Sequence, residues 1–234
     1  MVISHRHRFL HFVIPKTASA TLRQSLAPFA DIGWPVSKYQ QHVTIAAFLR
    51  SEHAPLFPDY FKFAFVRNPY DRIYSGYLQD RYAAETYPRW IRAKKPLFDE
   101  IGDDFSTYFN EYALKADLEN DWQWICFCPM SAFTVDAGGK LAMDFVGRAE
   151  NLAQDIATLA SRLRLPLEKA PDENVRQGLC SAEPKYLPHF DRRTIFAVNA
   201  TYRRDFELFG YPMLDPDSFP ERAQTLPIGT APRG

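Results

Sequence analysis

Cysteine is scarce in this chain. Three residues in 234, with Cys126 and Cys128 separated only by Phe127, offer no disulfide framework and suit a reducing compartment. They read as small buried hydrophobes. Net charge is missing as well: 28 basic side chains cancel 28 acidic ones, which argues against a generic nucleic-acid binder while allowing a local basic lining. No run approaches the roughly 18–20 apolar residues of a membrane span, and the first polar motif begins within fifteen residues of Met1, ahead of which a signal peptide does not fit. The expectation is a soluble, cytoplasmic protein. There is no G-x-x-x-x-G-K-[ST] loop, no H-E-x-x-H, no zinc-like Cys/His spacing and no Asp-rich magnesium motif, so no metal is expected. No internal repeat is visible. What the chain does have is apolar bulk, 46% of residues with 15% aromatic, enough to bury a large core without covalent help. One domain over residues 1–212 is expected, followed by a Pro-rich tail over 213–234 that trails over the surface.

Two short segments place polar groups directly after an apolar, strand-like run and before a helix-like one. The first begins with Arg8–Ile14, continues through Pro15, Lys16, Thr17, Ala18, Ser19 and Ala20, and enters a helical pattern at Thr21 and Leu22. Ala18, Ser19 and Ala20 are small enough for the backbone to approach an oxyanion. Thr17, Ser19 and Thr21 offer hydroxyls and Lys16 a mobile positive charge. An ordinary strand-to-helix turn with an exposed lysine is the plainer alternative. The second segment follows the strand candidate Tyr60–Val66, with Arg67 at its carboxyl end, Asn68 and Pro69 as N-cap and first helical residue, and Ser75 about two turns further on. Tyr70, Ile73, Tyr74 and Tyr77 recur at helical spacing and read as packing. Asp71 and Arg72 read as solvated or mutually paired charges. Helix N-termini favour bound phosphate, so the pair fits a nucleotide with phosphate at both ends.

On these residues the chain resembles the sulfotransferases that use 3′-phosphoadenosine-5′-phosphosulfate (PAPS), in the carbohydrate branch that includes the heparan sulfate 2-O-sulfotransferases. The loop P-K-T-[AG]-[SG]-x-[ST] matches Pro15 to Thr21, and the motif F-V-R-[ND]-P-[YF]-x-R-x-x-S-x-[YF] matches Phe65 to Tyr77. The resemblance implies that Lys16, Thr17, Ala18, Ser19, Ala20 and Thr21 cradle the 5′-phosphosulfate and that Arg67 and Ser75 hold the 3′-phosphate. Asp144–Leu152 and Tyr202–Tyr211 also resemble family elements, so the likeness spans about residues 8–212. Two positions depart from the pattern: Val13 stands where many relatives have histidine, and Ala20 replaces a hydroxyl residue. His11, on the same strand face as Val13, reads as a structural histidine.

Sulfuryl transfer needs positive charge on the leaving phosphate and a base at the acceptor hydroxyl. Lys16 suits the first need. For the base the candidate is His42, because neutral imidazole accepts a proton near pH 7 and relatives carry a catalytic histidine between the two phosphate motifs; a structural histidine or an acceptor-side contact are the alternatives. His53 sits in a polar, Pro-flanked stretch that reads as a surface loop.

From about Gln79 to Met130 aromatic and charged residues at helical spacing suggest a helical insertion on the acceptor side. Tyr82, Tyr87, Trp90, Tyr108, Tyr112, Trp122 and Trp124 read as core first and sugar-stacking platforms second. Arg81, Arg89, Arg92, Lys94 and Lys95 read as a solvated face or, less plainly, a surface for an anionic glycan. Phe145–Gly147 reads as a strand and Asn151–Leu163 as an amphipathic helix. The Asp172–Pro188 loop, with Asn174, Arg176 and Lys185, falls where relatives close over the donor. Ile195, Val198, Tyr202, Phe206 and Phe209 read as the stripe of one terminal helix. The expected fold is therefore α/β: a mostly parallel sheet flanked by helices, a P-loop-like sulfotransferase fold with a helical insertion. The expected activity is PAPS-dependent O-sulfation of a carbohydrate or glycoconjugate, with 3′-phosphoadenosine-5′-phosphate (PAP) as product. A lipid or small-metabolite hydroxyl remains open as acceptor. A kinase using ATP and magnesium, or a noncatalytic nucleotide- or glycan-binding module, are the rival classes. The oligomeric state is not legible.

Overall fold

Strands that are apolar on both faces need cover on both faces, and the residues around Phe9 and Phe63 show how this chain supplies it. The computed structural model describes residues 1–33, 41–86, 94–167, 184 and 186–222. Tyr87, Arg89, Trp90, Arg92, Asn174, Arg176 and Lys185, named above, lie outside the described residues. In chain order the elements are β1 (Val2–Ser4), β2 (Phe9–Phe12), α1 (Ser19–Leu26), α2 (Ile45–Leu49), β3 (Phe61–Val66), α3 (Pro69–Thr86), α4 (Lys95–Ile101), α5 (Phe105–Thr107), α6 (Ser131–Thr134), β4 (Phe145–Arg148), α7 (Leu152–Leu163), α8 (Arg192–Thr201) and α9 (Arg203–Phe209). They fall into two compact units, residues 1–67 with 128–180 and residues 68–127 with 181–234.

The first unit is built on a four-stranded sheet in the order β1-β2-β3-β4, antiparallel between β1 and β2 and parallel thereafter. This is the mostly parallel sheet that the sequence leads one to expect. Alternation along β2 sends Phe9 and His11 to one face and Leu10 and Phe12 to the other. Phe9 joins Phe63 and Phe65 in a cluster closed by Leu22 and Leu26 of α1 and Ile156 and Leu159 of α7. On the opposite face the Phe12 ring meets Phe48 of α2 at 5.4 Å between centroids and Phe57 at 6.1 Å. Both faces of the sheet are thus covered by helices. Gly147 in β4 lies under Phe65: a Cβ there would come within 2.4 Å of its ring. His11 is buried and stacks on Phe63 at 4.7 Å, in keeping with a structural strand histidine.

The second unit is helical and aromatic. Tyr70, Ile73, Tyr74 and Tyr77 of α3 pack with Phe98, Phe105, Tyr108, Phe127, Phe190 and Tyr202 in one core. Asn68 opens α3 as expected, its Oδ1 accepting from the Tyr70 N–H at 3.0 Å. Ser106, Asn110, Asp191 and Thr194 form a hydrogen-bonded polar knot beside a π-helical turn at Tyr108–Tyr112.

Three expectations are corrected here. Arg72 is not solvated: it is fully buried, donates to the Cys126 carbonyl at 3.0 Å and lies 5.6 Å from the Tyr202 ring centroid. The single terminal helix is two, α8 and α9, separated at Tyr202, whose backbone leaves helical geometry while its hydroxyl donates to the Phe127 carbonyl at 2.6 Å. The stretch after Pro212 does not trail as far as Arg222. The Leu214 N–H donates to the Tyr70 hydroxyl at 2.8 Å, Asn199 donates to the Leu214 carbonyl at 2.9 Å, and the Arg192 N–H donates to the Pro220 carbonyl at 2.8 Å.

Candidate functional site

The connection between β2 and α1 is tightly wound. Lys16 and Ala18 both have left-handed backbones, at φ 67° and 61°, with Thr17 between them on the ordinary side of the map. A left-handed conformation costs a residue with a Cβ about 1–2 kcal/mol. Alternation of hand along consecutive residues turns successive backbone N–H groups towards a common point, the geometry of an anion-binding nest. Ala18 is also the N-cap of α1, and no side chain caps that helix end. By contrast α2, in the same unit, is capped by Thr44, whose hydroxyl accepts from the Ala47 N–H at 3.2 Å. The α1 terminus therefore presents backbone donors and partial positive charge that its own side chains do not meet.

Within the loop the side chains divide. Thr17 is buried and its hydroxyl donates to the Ile14 carbonyl at 3.0 Å, so its O–H is spent on the turn and its backbone N–H is what it offers a ligand. Thr21 is buried; Lys16 and Ser19 are partly exposed and Ala20 is exposed. Arg67 reaches from the end of β3 and donates to the Lys16 carbonyl at 3.2 Å, which joins the two sequence motifs at the carboxyl ends of adjacent parallel strands. Ligands of open parallel sheets sit at such ends. Ser75 is buried in α3 of the helical unit.

His42 stands in the sheet unit. Val43 and Ile45 bury on either side of Thr44, which caps α2, and this anchors the segment that carries the imidazole. Its Nδ1 is 2.8 Å from the Val13 carbonyl. A carbonyl only accepts, so Nδ1 carries the proton and Nε2 keeps a lone pair. Burial, with smaller contributions from the Arg23 and Lys16 charges, pushes the His42 pKa down to about 4 against the favourable Val13 bond. The ring is neutral at physiological pH and remains partly open to solvent.

One residue that the sequence reading passed over is Arg23, on α1 one turn after Ser19. It is half-buried, its Nε donates to the Ser19 carbonyl at 3.1 Å, and burial lowers its pKa. The i, i+4 spacing from Ser19 was the available signal, since it returns the side chain to the first turn of the helix.

The charged and aromatic residues of the helical unit are largely used internally. Lys94, expected on a solvated face, is instead largely enclosed: its ammonium donates to Asp80 at 2.6 Å, Tyr108 at 2.9 Å and the Gln123 carbonyl at 2.7 Å, and lies 3.5 Å from the Trp124 ring centroid. Arg81 pairs with Asp103 at 2.7 Å and also with Glu85. Tyr108 is core, whereas Tyr82 and Trp122 face solvent.

Comparison with known proteins follows the same lines. Residues 1–212 match the model of the Sulfotransferase family. Carbohydrate sulfotransferase 14 of Homo sapiens is 27% identical, covering 91% of this chain and 60% of its own length, and the Mus musculus protein gives the same figures. Carbohydrate sulfotransferase 14 of Danio rerio is 24% identical, over 91% of this chain and 62% of its own. The chain thus spans about 60% of the length of these relatives, which bear out a carbohydrate sulfotransferase likeness without specifying the heparan sulfate 2-O branch. No solved structure matches significantly.

Proposed function

Since the chain belongs to the sulfotransferase family, we propose that it transfers the sulfuryl group of PAPS to a hydroxyl of a carbohydrate or glycoconjugate acceptor. The observation that carries this reading is the loop at Lys16–Ala18: two strained left-handed residues and an uncapped helix end make a cradle for an oxyanion, and Arg67 closes on its back. The names of the relatives support the acceptor class.

In this reading the loop N–H groups and the Lys16 ammonium bind the phosphosulfate. Arg67 takes the 3′-phosphate, a role that the motif resemblance also implies for Ser75. The acceptor oxygen attacks sulfur as the bond from sulfur to the bridging phosphate oxygen breaks, and the bonding electrons leave on PAP. Lys16 stabilises the charge that grows on that oxygen, an interaction stronger in the transition state than before it. The acceptor proton passes to Nε2 of His42, which the Val13 carbonyl holds in the required tautomer. The carbohydrate acceptor, the PAPS donor and a cytoplasmic setting are parts of one proposal. Transfer of labelled sulfuryl from PAPS to a panel of glycans, lipids and small hydroxyl compounds tests it. Labelled glycan product is the expected result; PAPS binding without any product would leave a binding module, and phosphoryl transfer from ATP would favour a kinase.

A further inference from the structure

A cavity of about 590 Å³ opens in the helical unit, lined by none of the residues assigned above to sulfuryl transfer. Its volume falls within the roughly 300–1,000 Å³ of small-molecule sites. The segment 103–107 forms one wall, His189, Asp191 and Arg193 contribute from the start of α8, and Glu221 and Arg222 complete the lining. The last wall is tied to α8, where Arg192 donates to the Glu221 carboxylate at 3.0 Å and its N–H to the Pro220 carbonyl at 2.8 Å. Residues 103–107 run directly into the π-helical turn at Tyr108–Tyr112, a distortion that recurs at functional sites.

The chemistry of the lining selects a class of ligand. Asp103, Glu221 and Arg193 are matched by groups that do not line the cavity: Arg81 at 2.7 Å, Arg192 at 3.0 Å and Glu111 at 2.5 Å. Asp104 and Asp191 remain against Arg222, so negative charge prevails. Asp104 accepts from the Thr107 N–H at 2.9 Å and its hydroxyl at 2.8 Å. Asp191 is buried and accepts from the Ser106 hydroxyl at 2.6 Å and the Thr194 N–H at 2.7 Å. A carboxylate offers about four lone-pair sites, which leaves both with capacity for donors from a ligand. Beside Phe105, at 5.1 Å between centroids, the fully buried Tyr77 has a hydroxyl without a partner among the described residues, and the Asp103 and Asp104 charges act on it. Such a hydroxyl is ordinarily answered by water or a ligand. The lining also holds a flat ring: His189 stacks on Tyr74 at 4.6 Å, and burial lowers its pKa and keeps it uncharged.

Acceptors for several hydroxyls beside a flat, uncharged ring suit a sugar, whose hydroxyls donate at its rim and whose C–H face lies on a ring. We propose that this cavity is a sugar-binding subsite for one uncharged ring, with hydroxyls donating to Asp104 and Asp191 and the ring face against His189, and that it rejects rings carrying carboxylate or sulfate. The choice of a sugar among polyhydroxylated ligands rests on the acceptor class read above. The charge selection follows from the lining, since an anionic ring meets two carboxylates.

The test uses the full chain labelled in its histidine rings, with the His189 signal assigned from its loss in His189→Gln. The methyl glycosides of galactose, glucose and N-acetylgalactosamine are titrated without PAPS, against glucuronate and galactose 6-sulfate. A saturable shift of the His189 signal with an uncharged glycoside is expected, and binding about tenfold or more weaker for the anionic rings. Asp104→Asn keeps a capping oxygen, because asparagine caps as well as aspartate, and is expected to narrow that gap. A His189 signal unmoved by every uncharged glycoside overturns the proposal, as does equal or tighter binding of the anionic rings. Label transfer from PAPS, read separately on the same protein, keeps the two readings apart: transfer to glycan with no shift at His189 sinks the subsite alone, and a shift at His189 with no transfer sinks the enzyme reading alone.

Discussion

The cations near the β2–α1 connection are held differently from those in the helical unit. In the helical unit Lys94 is matched by Asp80, Tyr108 and a carbonyl, and Arg72 by the Cys126 carbonyl and the Tyr202 ring. Both lie against rings of the helical unit, Arg72 beside Tyr202 and Lys94 beside Trp124. In the sheet unit Arg23 and Arg67 instead donate to carbonyls of the β2–α1 connection, and the same connection carries two left-handed residues and an uncapped helix end. A charge matched by its own protein contributes to folding specificity, whereas charges grouped around an unmet set of backbone donors suit a ligand.

The contrast can be broken from either side. The largest expected effect is on chemistry: His42→Ala lowers turnover by roughly 10²–10⁴ with little change in PAP affinity, and retained turnover would remove His42 from the role of base. Next is Lys94→Ala, which leaves the largely buried Asp80 with the Tyr108 hydroxyl but without its ammonium. Chemical denaturation is expected to show a loss of about 3–5 kcal/mol, and a loss below about 1 would show that the Lys94 cluster is not structural. Gly147→Ala forces the Phe65 ring off β4 and is expected to cost about 1–3 kcal/mol, with an unchanged midpoint contradicting the packing described.

The pH dependence distinguishes the units further. His42 titrates near 4 in the folded protein against about 6.5 when unfolded, so its contribution to stability is complete above pH 6.5 and is lost as pH falls towards 4. His11, shifted in the same direction by burial, acts with the same sign. Melting temperatures of wild type and His42→Gln are therefore expected to converge as pH falls through this window; parallel curves would contradict the burial of a neutral His42. The smallest effect is at Ala18. Ala18→Gly removes the left-handed strain but adds chain entropy to the unfolded state, leaving a net change within about 1 kcal/mol, while Ala18→Val is expected to be clearly destabilising by the same measurement.

Much of the fold was legible where its signals are local. The apolar runs around Phe9 and Phe63 are strands, the Asn68–Pro69 pair begins a helix, and the stripe Leu152, Ile156, Leu159 faces the sheet. The juxtaposition of Lys16 and Arg67 could be inferred because parallel strands bring their carboxyl ends together. What escaped depends on partners far away in sequence. Nothing near Arg72 announces that Cys126 and Tyr202 will enclose it. The break falls at Tyr202, within an otherwise clean helical stripe, where the hydroxyl donates to the distant Phe127 carbonyl. Residues beyond Pro212 look like a tail in composition, yet Leu214 is tied to Tyr70, 144 residues away. At the site, residue types pointed to an anion, but the left-handed backbone at Lys16 and Ala18 was hidden because neither is glycine.

Calorimetric titration of wild type and Arg67→Ala with PAP, set against AMP and against ATP with magnesium, tests the central claim most directly. The account predicts tight, metal-independent binding that requires the 3′-phosphate and is weakened by Arg67→Ala. Equal affinity for PAP, AMP and ATP, or an Arg67→Ala protein that binds PAP as wild type does, would contradict it.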